Sequence, residues 1–447
     1  MASPQYSGDF VMDDVTIISS AGVSYNIQTL IIEINVYESI KTPWLSGTIL
    51  IEDTTGLVET APIIGQERVL FSFATSKDHD KIDFTNYQGV VTRISKRTTS
   101  NLTSQTYILE FSTLERMKNA RTKVSKSFEG TTDLIVKDIL TDKNYINNPK
   151  PLELEPTQGV RKYVMPNISP YSCIRMMSKE SITSENRTGF LFYENHRGFN
   201  FRSISSLLQS KAGVPHPVKR IFIHGPPIGA TEARFHAMTM LQFEILVGGN
   251  TFIKLQQGAL CSKMIKHDIY NKNFGEYHFD YLNSFSDNPH TMSTENEFGP
   301  LISDMKMDET EKKITEFPDS KCFLTTSSST DLYTEGKTDS QIEKWLQTGL
   351  SNKHQSENLT NMITIMGDSS IAAGDLIEIR IPSSLPGKKK VPERDQMDPY
   401  LSGRYLAQAV RHKINPRQQH YVTFIEAAKD SIYPKLPAMD QDFSWTE

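Results

Sequence analysis

Cysteine is scarce, with three residues in 447, and Cys173, Cys261 and Cys322 lie far apart. An odd, dispersed set excludes a disulfide framework and a CxxC metal knuckle, and predicts free, buried thiols in a chain made in a reducing cytoplasm. Long apolar runs are missing too: none approaches the ~18 residues of a membrane-spanning helix, and the opening MASPQYSGDF has no basic region followed by an apolar core. Neither membrane insertion nor a signal peptide is expected. Basic charge is not in excess, since 48 Lys and Arg face 53 Asp and Glu for a net charge of −5. That balance excludes a strong electrostatic grip on phosphates, and with it tight nucleic-acid binding. The Walker, GxGxxG and HExxH patterns are absent, so nucleotide use and that metal motif have no support.

What is present is the composition of a folded protein, with 37% hydrophobic and 23% charged residues. The length exceeds one ordinary core and predicts three or four packed units.

From Val15 onward the chain reads as strand after strand, as in SGTILIED and QTYILEFSTLE. In the second, Tyr107, Leu109 and Phe111 share one face and Ile108 and Glu110 the other. Residues 10–118 are therefore expected to form a mostly antiparallel β domain. The period then changes. Thr131 or Thr132 is placed to cap a helix bearing Leu134, Ile135, Ile139 and Leu140. A second helix should start with Ser169 as cap and Pro170 in its first turn, with Cys173, Ile174, Met177 and Ile182 along one side. GFLFYENHRGFNFRSI follows as an aromatic hairpin, giving a small α+β unit over 119–205.

Beyond it, TEARFHAMTMLQFEIL predicts a helix from about Thr231 to Leu246 ended by Gly248 and Gly249. A polar stretch from Ser284 to Lys337 reads as loops. A last helix carries Ile342, Trp345, Leu346 and Leu350, with Asp339 as its cap. The expected division continues with a second β domain over 206–235 and 352–432, an inserted α+β unit over 236–351, and an extended C-terminal arm over 433–447 whose Phe443 and Trp445 suit a partner surface.

The two β regions echo each other. Gly65 precedes Val69, Phe71 and Phe73, as Gly374 precedes Ile377, Ile379 and Ile381. Gly89 and Gly403 each open a further strand, and Tyr107 and Tyr421 occupy the same offset from those glycines. These six residues, Gly65, Gly89, Tyr107, Gly374, Gly403 and Tyr421, mark a candidate internal repeat. The loop from Lys388 to Asp398 fits as an insertion on a repeated frame, because doubling a loop costs only about 0.6 kcal/mol. A duplicated β domain suits a trimer that presents six similar units around an axis.

The succession SGTILIEDTTGLVETAPIIGQERVLFSF, QTYILEFSTLE, SPYSCIRMMSKES with GFLFYENHRG, and IAAGDLIEIRIP with LSGRYLAQAVRHKINPRQQHYVTFIEAAKDSI resembles the baseplate central hub protein of contractile-tail bacteriophages, which is related to the hub part of type VI secretion spike proteins. The resemblance runs through nearly the whole chain. It implies a mainly β fold with α+β additions, with two tube-like antiparallel β-barrel domains per chain plus two smaller α+β domains. It also implies a structural homotrimer in the virion tail baseplate, made in the host bacterial cytoplasm. The implied partners are a separate central spike, the tail tube or its initiator, and the baseplate wedges, with genomic DNA only passing through the channel. No repeated short β-helix strands follow Asp430, so the spike is expected on another chain.

Two other classes were weighed: a cell-wall hydrolase and a tail-tip carbohydrate-binding module. For the hydrolase, MGDSSIAAG is the tempting string, yet Ser369 lacks the GxSxG context and a turn between strands is expected there. His267, Asp268 and His278 are close in sequence but match no metal-ligand spacing. No catalytic, cofactor-binding or metal residue is assigned, and no cofactor is expected.

Overall fold

Alternation of apolar and polar residues becomes strands because one face of each can be buried while the backbone is satisfied laterally. The computed structural model describes residues 8–61, 63–75, 80–101, 104–211, 214–225, 237–269, 272–293, 298–303, 306, 311–326, 342–383 and 397–433. The first half is built on β1 (Thr16–Ile18), β2 (Ile31–Ser39), β3 (Ser46–Asp53), β4 (Arg68–Leu70), β5 (Gly89–Asn101) and β6 (Ser104–Thr113). They lie in the order β2-β3-β6-β5-β4-β1, each neighbouring pair antiparallel. Tyr107, Leu109 and Phe111 of β6 are buried against Ile49 and Ile51 of β3, as the alternation requires. Burial of such side chains contributes roughly 1.5–3 kcal/mol each.

The middle of the chain comprises α1 (Leu114–Arg121), β7 (Ser127–Gly130), α2 (Thr132–Thr141), β8 (Leu152–Leu154), β9 (Arg161–Val164), α3 (Pro170–Glu180), β10 (Phe190–Asn195) and β11 (Gly198–Ser203). Both expected helices and the hairpin form. Helix α2 buries Ile135, Val136, Ile139 and Leu140, but Leu134 faces solvent, because a stripe through those four positions turns residue 134 outward. Helix α3 starts at Pro170 and buries Cys173, Ile174 and Met177 against the hairpin rings of Phe190, Phe192, Phe199 and Phe201.

The second half comprises β12 (Arg220–His224), β13 (Thr239–Gly248), α4 (Thr251–Gln257), β14 (Cys261–Asp268), β15 (Asn273–Asp280), β16 (Cys322–Thr326), α5 (Ile342–Gln355), β17 (Leu359–Met366), β18 (Leu376–Arg380), β19 (Gly403–Asn415) and β20 (His420–Lys429). Six of these strands close into a barrel in the order β13-β17-β20-β19-β18-β12, with β12 pairing back to β13. Chain order and sheet order match those of the first half strand for strand. The pairings are antiparallel apart from those of β12, which is parallel to both its neighbours. The two halves share one thirteen-stranded sheet because β19 divides its length: Gly403 to Leu406 pair with β18, and Ala409 to Ile414 pair with β2. A bulge between Ala407 and Ala409 marks the division.

The helix expected from Thr231 to Leu246 is corrected. Residues 239–248 are strand β13, and residues 231–236 lie outside the described residues. Met, Leu, Gln and Glu favour helix locally, but a register from Met240 opposite Ile365 to Gly248 opposite Leu359 supplies a ladder that outweighs that preference. The segment read as a helix is therefore a barrel strand. Helix α5 also departs from expectation: it buries the polar stripe Gln347, Ser351 and Gln355 along with Ile342, and leaves Trp345, Leu346 and Leu350 half-buried. The stripe is inward because Gln347 and Ser351 donate to the carbonyls of Ser262 and Ala259, at 3.0 and 2.7 Å. Asp339, residues 388–396 of the charged loop, and residues 434–447 of the arm lie outside the described residues. Among the described residues no helix is long and apolar enough to cross a membrane.

Candidate functional site

Each of the six repeat positions lies on, or just before, a strand of its own half. Gly65 and Gly374 precede β4 and β18 with φ of +96° and +99°, a region that favours glycine. Gly89 opens β5, and Gly403 opens β19 at φ +126°. Tyr107 and Tyr421 are fully buried and fall in the same apolar core, so β20 of the second half helps to close the core of the first. Their hydroxyls diverge. That of Tyr107 is 3.4 Å from Asp53 Oδ2, whereas that of Tyr421 is 2.6 Å from His412 Nδ1.

That second contact leads to a polar joint where β2, the β10–β11 turn and β19 meet. Glu38 on β2 is wholly buried, and its Oε1 lies 2.8 Å from His196 Nδ1 while accepting the His196 backbone N–H at 3.1 Å. Its Oε2 accepts the Ala373 N–H at 3.1 Å. Burial pushes the Glu38 pKa up, but His196 beside it and these hydrogen bonds more than offset that and hold it at about 2. Burial lowers His412 to about 4, and His196 adds to this. The two imidazole rings meet edge to face with centroids 6.3 Å apart.

Next to them Arg197 makes a bidentate pair with Asp375 at 2.7 and 2.8 Å, reaches Asp80 at 3.1 Å, and donates to the Ser370 carbonyl at 2.6 Å. A third network, Lys150 with Glu115 and Glu194, joins the middle of the chain to the first half, because Glu194 also accepts from Leu45 N and Thr113 Oγ1, each at 3.0 Å. Together these contacts fix the two halves and the middle region as one body. Sequence reading missed them because the partners come from distant segments, Glu38 and His196 being 158 positions apart.

The candidates weighed for chemistry separate. Ser369 is buried in a turn, where its hydroxyl is 2.9 Å from Thr75 Oγ1 and accepts the Thr75 N–H at 3.0 Å. His267 pairs across the sheet with Phe274 and His278 with Lys263, so the two histidines sit four rungs apart on β14 and β15. Among the described residues, the group whose possible ligand atoms come within 4.8 Å of one another is instead Glu38, His196 and His412.

The outer surface has its own feature. After Met240, β13 pairs only with β17, and Leu241, Ile245, Leu246 and Val247 are exposed on an edge without a second neighbour strand among the described residues. Phe252 and Ile253 of α4 continue it, at 68% and 45% exposure. An apolar open edge of this kind is a template for another chain.

No protein-family model matches the sequence, and no curated protein does. Solved structures do match. A tail protein from Neisseria meningitidis MC58 superposes with a TM-score of 0.50 at 9% identity, covering 94% of this chain and 97% of that one. The 43 kDa tail protein of prophage MuSo2 from Shewanella oneidensis superposes at 0.49 and 10% identity, covering 93% and 98%. The c3393 protein of E. coli, a type VI secretion component, superposes at 0.40 and 12%, covering 92% and 76%. The conclusion rests on the Neisseria match and concerns architecture: this chain has the mainly β fold of that tail protein.

Proposed function

We propose that the chain is the structural hub of a phage tail baseplate, a homotrimer that joins a hexameric tail tube to a trimeric central spike and lines the DNA channel of the virion. The observation that carries this reading is the doubled module, six strands in one order repeated within one chain and closed into a barrel in the second half. Three copies then offer six similar modules, which matches a threefold partner on one side and a sixfold partner on the other. The six repeat positions mark the shared frame. On this reading the tube or its initiator contacts the barrels, the wedges contact the middle and inserted regions, and the apolar edge of β13 packs against the next copy. DNA passes transiently, in keeping with a chain that has no basic excess. The role is geometric, without catalysis or cofactor.

Light scattering after size exclusion tests it. A mass of about 152 kDa, three chains of 50.7 kDa, with ring-shaped particles in negative stain, is expected, and Val247→Lys should shift the mass toward one chain. A wild-type protein that stays monomeric with candidate spike and tube proteins present refutes the reading.

A further inference from the structure

Strand β13 has an open side. From Leu241 to Gly248 it has no neighbour strand besides β17 among the described residues, so the backbone groups that point away from β17 carry no ladder there. Leu241, Ile245, Leu246 and Val247 are between 43% and 50% exposed along it, and Phe252 of α4, just past Gly248, is 68% exposed. Open edges in folded proteins are ordinarily blunted by charges, by proline or by a covering segment. Strand β13 has one charge, Glu244, and no proline, which leaves a covering segment as the device.

The course of the chain brings a candidate cover to this side. Lys429 at the end of β20 lies opposite Leu359 of β17, and Leu359 lies opposite Gly248 of β13. With neighbouring strands about 4.8 Å apart, β20 ends about 10 Å from the foot of the open edge. Ser431 and Ile432 then pair with Pro300 and Gly299, and the described chain stops at Tyr433. Residues 430–437, with Pro434 and Pro437 among them, span up to about 27 Å when extended. A strand laid outside β13 is three strand spacings from β20, about 14 Å, so the connection has slack for the pairing at Ser431 and Ile432. Strands β13 and β20 run the same way, both being antiparallel to β17. A chain that turns back at this end therefore travels antiparallel to β13, the arrangement that a short connection gives.

The residues that follow have the pattern of a strand with one apolar face. Ala438 to Glu447 include no proline, so every backbone N–H can donate. Met439, Phe443 and Trp445 fall at one parity, and Asp440, Asp442, Ser444 and Thr446 at the other. We infer that residues 438–447 add to the open side of β13 of their own chain as an antiparallel strand, with Met439, Phe443 and Trp445 against its exposed aliphatic side chains. Asp440 and Asp442 then put charge on the new edge strand, which discourages further strand addition. The inference concerns a single chain and holds with or without the trimer. In the ring proposed above, the next copy meets side chains of β13 whose backbone is already paired.

Two measurements on the full chain test this. In hydrogen exchange read by mass spectrometry, peptides covering 241–248 should be protected in wild type. The outward-pointing half of their amides should exchange at least tenfold faster in the double variant Phe443→Asp with Trp445→Asp, and in a chain cut after Tyr433. A photo-crosslinking phenylalanine analogue at Phe443 should join β13 within one chain, giving a crosslinked peptide from 241–248 and a denaturing-gel band at the mass of a single chain. If the shortened chain fails to fold, the double variant and the crosslink decide. Unprotected 241–248 amides in folded wild type overturn the inference. Protection that survives in both variants overturns it too, and assigns the edge to a second copy if dilution removes the protection and to another segment of the chain if it does not. A crosslink that joins two chains also overturns it, because the arm is then exchanged between copies. The mass that tests the trimer is read separately, so either reading can fail alone.

Discussion

Replacing Lys150 by Met should be among the most damaging single changes in the chain. The ammonium lies 2.8 Å from Glu115 Oε2 and also bonds Glu194 Oε1, and all three side chains are at most 4% exposed. Burial works against the charge on Lys150, but the carboxylates of Glu194 and Glu115 more than offset it and raise its pKa. Glu194 is pushed up by burial, with Lys150 opposing and Glu115 adding to it. One cation facing two carboxylates leaves a surplus negative charge, and the upward direction at Glu194 is where that surplus is felt. Methionine matches the length of the stem but leaves both carboxylates without their counter-charge. Removing one partner of a buried pair costs about 3–5 kcal/mol. The two acids can relieve this only by taking up a proton, which is easier at low pH, so the loss should be larger at pH 7 than at pH 5. Urea titration followed by fluorescence reads it locally, because Trp44 packs against the middle core with the Arg116 guanidinium 4.4 Å over its ring. Adding Glu194→Gln, which keeps an acceptor for Leu45 N, should restore part of the loss. A loss under about 1 kcal/mol at pH 7, or one that does not change with pH, refutes the reasoning, since the triad would then be no stronger than a surface ion pair.

Three further outcomes are expected. Gly367→Ala would place a methyl group against the ring of the fully buried Tyr421, and overpacking of this kind costs about 1–3 kcal/mol or more; an unchanged melting temperature would contradict the packing described. For His290, 2.6 Å from Asp430, burial opposes the charged ring but Asp430 raises its pKa, while Asp430 is held low by His290 and by Thr291 against the effect of its own burial. The histidine's contribution is complete below its ordinary pKa of ~6.5 and is lost as pH rises through its raised value, and the aspartate's is lost as pH falls through its lowered value. Melting temperature against pH should therefore fall at both ends in wild type and be flatter in Asp430→Asn. Lys429 is pulled down to about 7 by burial, with Asp398 and Asp430 opposing. Its folded value lies below its unfolded one, so wild type should gain stability as pH rises from about 7 towards 10, and Lys429→Met should not; parallel pH profiles of the two proteins would contradict this.

Most of the secondary structure was legible in the sequence because period and punctuation are local properties. Alternation in SGTILIED and TYILEFS fixes which residues face inward, Ser169 with Pro170 sets the start of a helix, and the Asn195 to Gly198 turn closes a hairpin. The equal spacing of Tyr107 from Gly89 and of Tyr421 from Gly403 was visible too, since spacing needs no knowledge of contacts. The strand β13 was misread because its residues favour helix in isolation and only the ladder from β17 makes them extended. The buried stripe on α5 was misread for a related reason: Gln347 and Ser351 look like a solvent face until the Ser262 and Ala259 carbonyls are brought to them.

Composition and periodicity by themselves therefore determined a mainly β chain with a repeated module and no recognisable catalytic motif. Only the tertiary structure decided that β19 pairs with β18 over one part of its length and with β2 over the other, and that this shared strand carries His412 to a place where Glu38 and His196 also arrive. The reason is physical: strand pairing joins residues through the register of distant backbones, and no local pattern encodes which distant partner a strand will take.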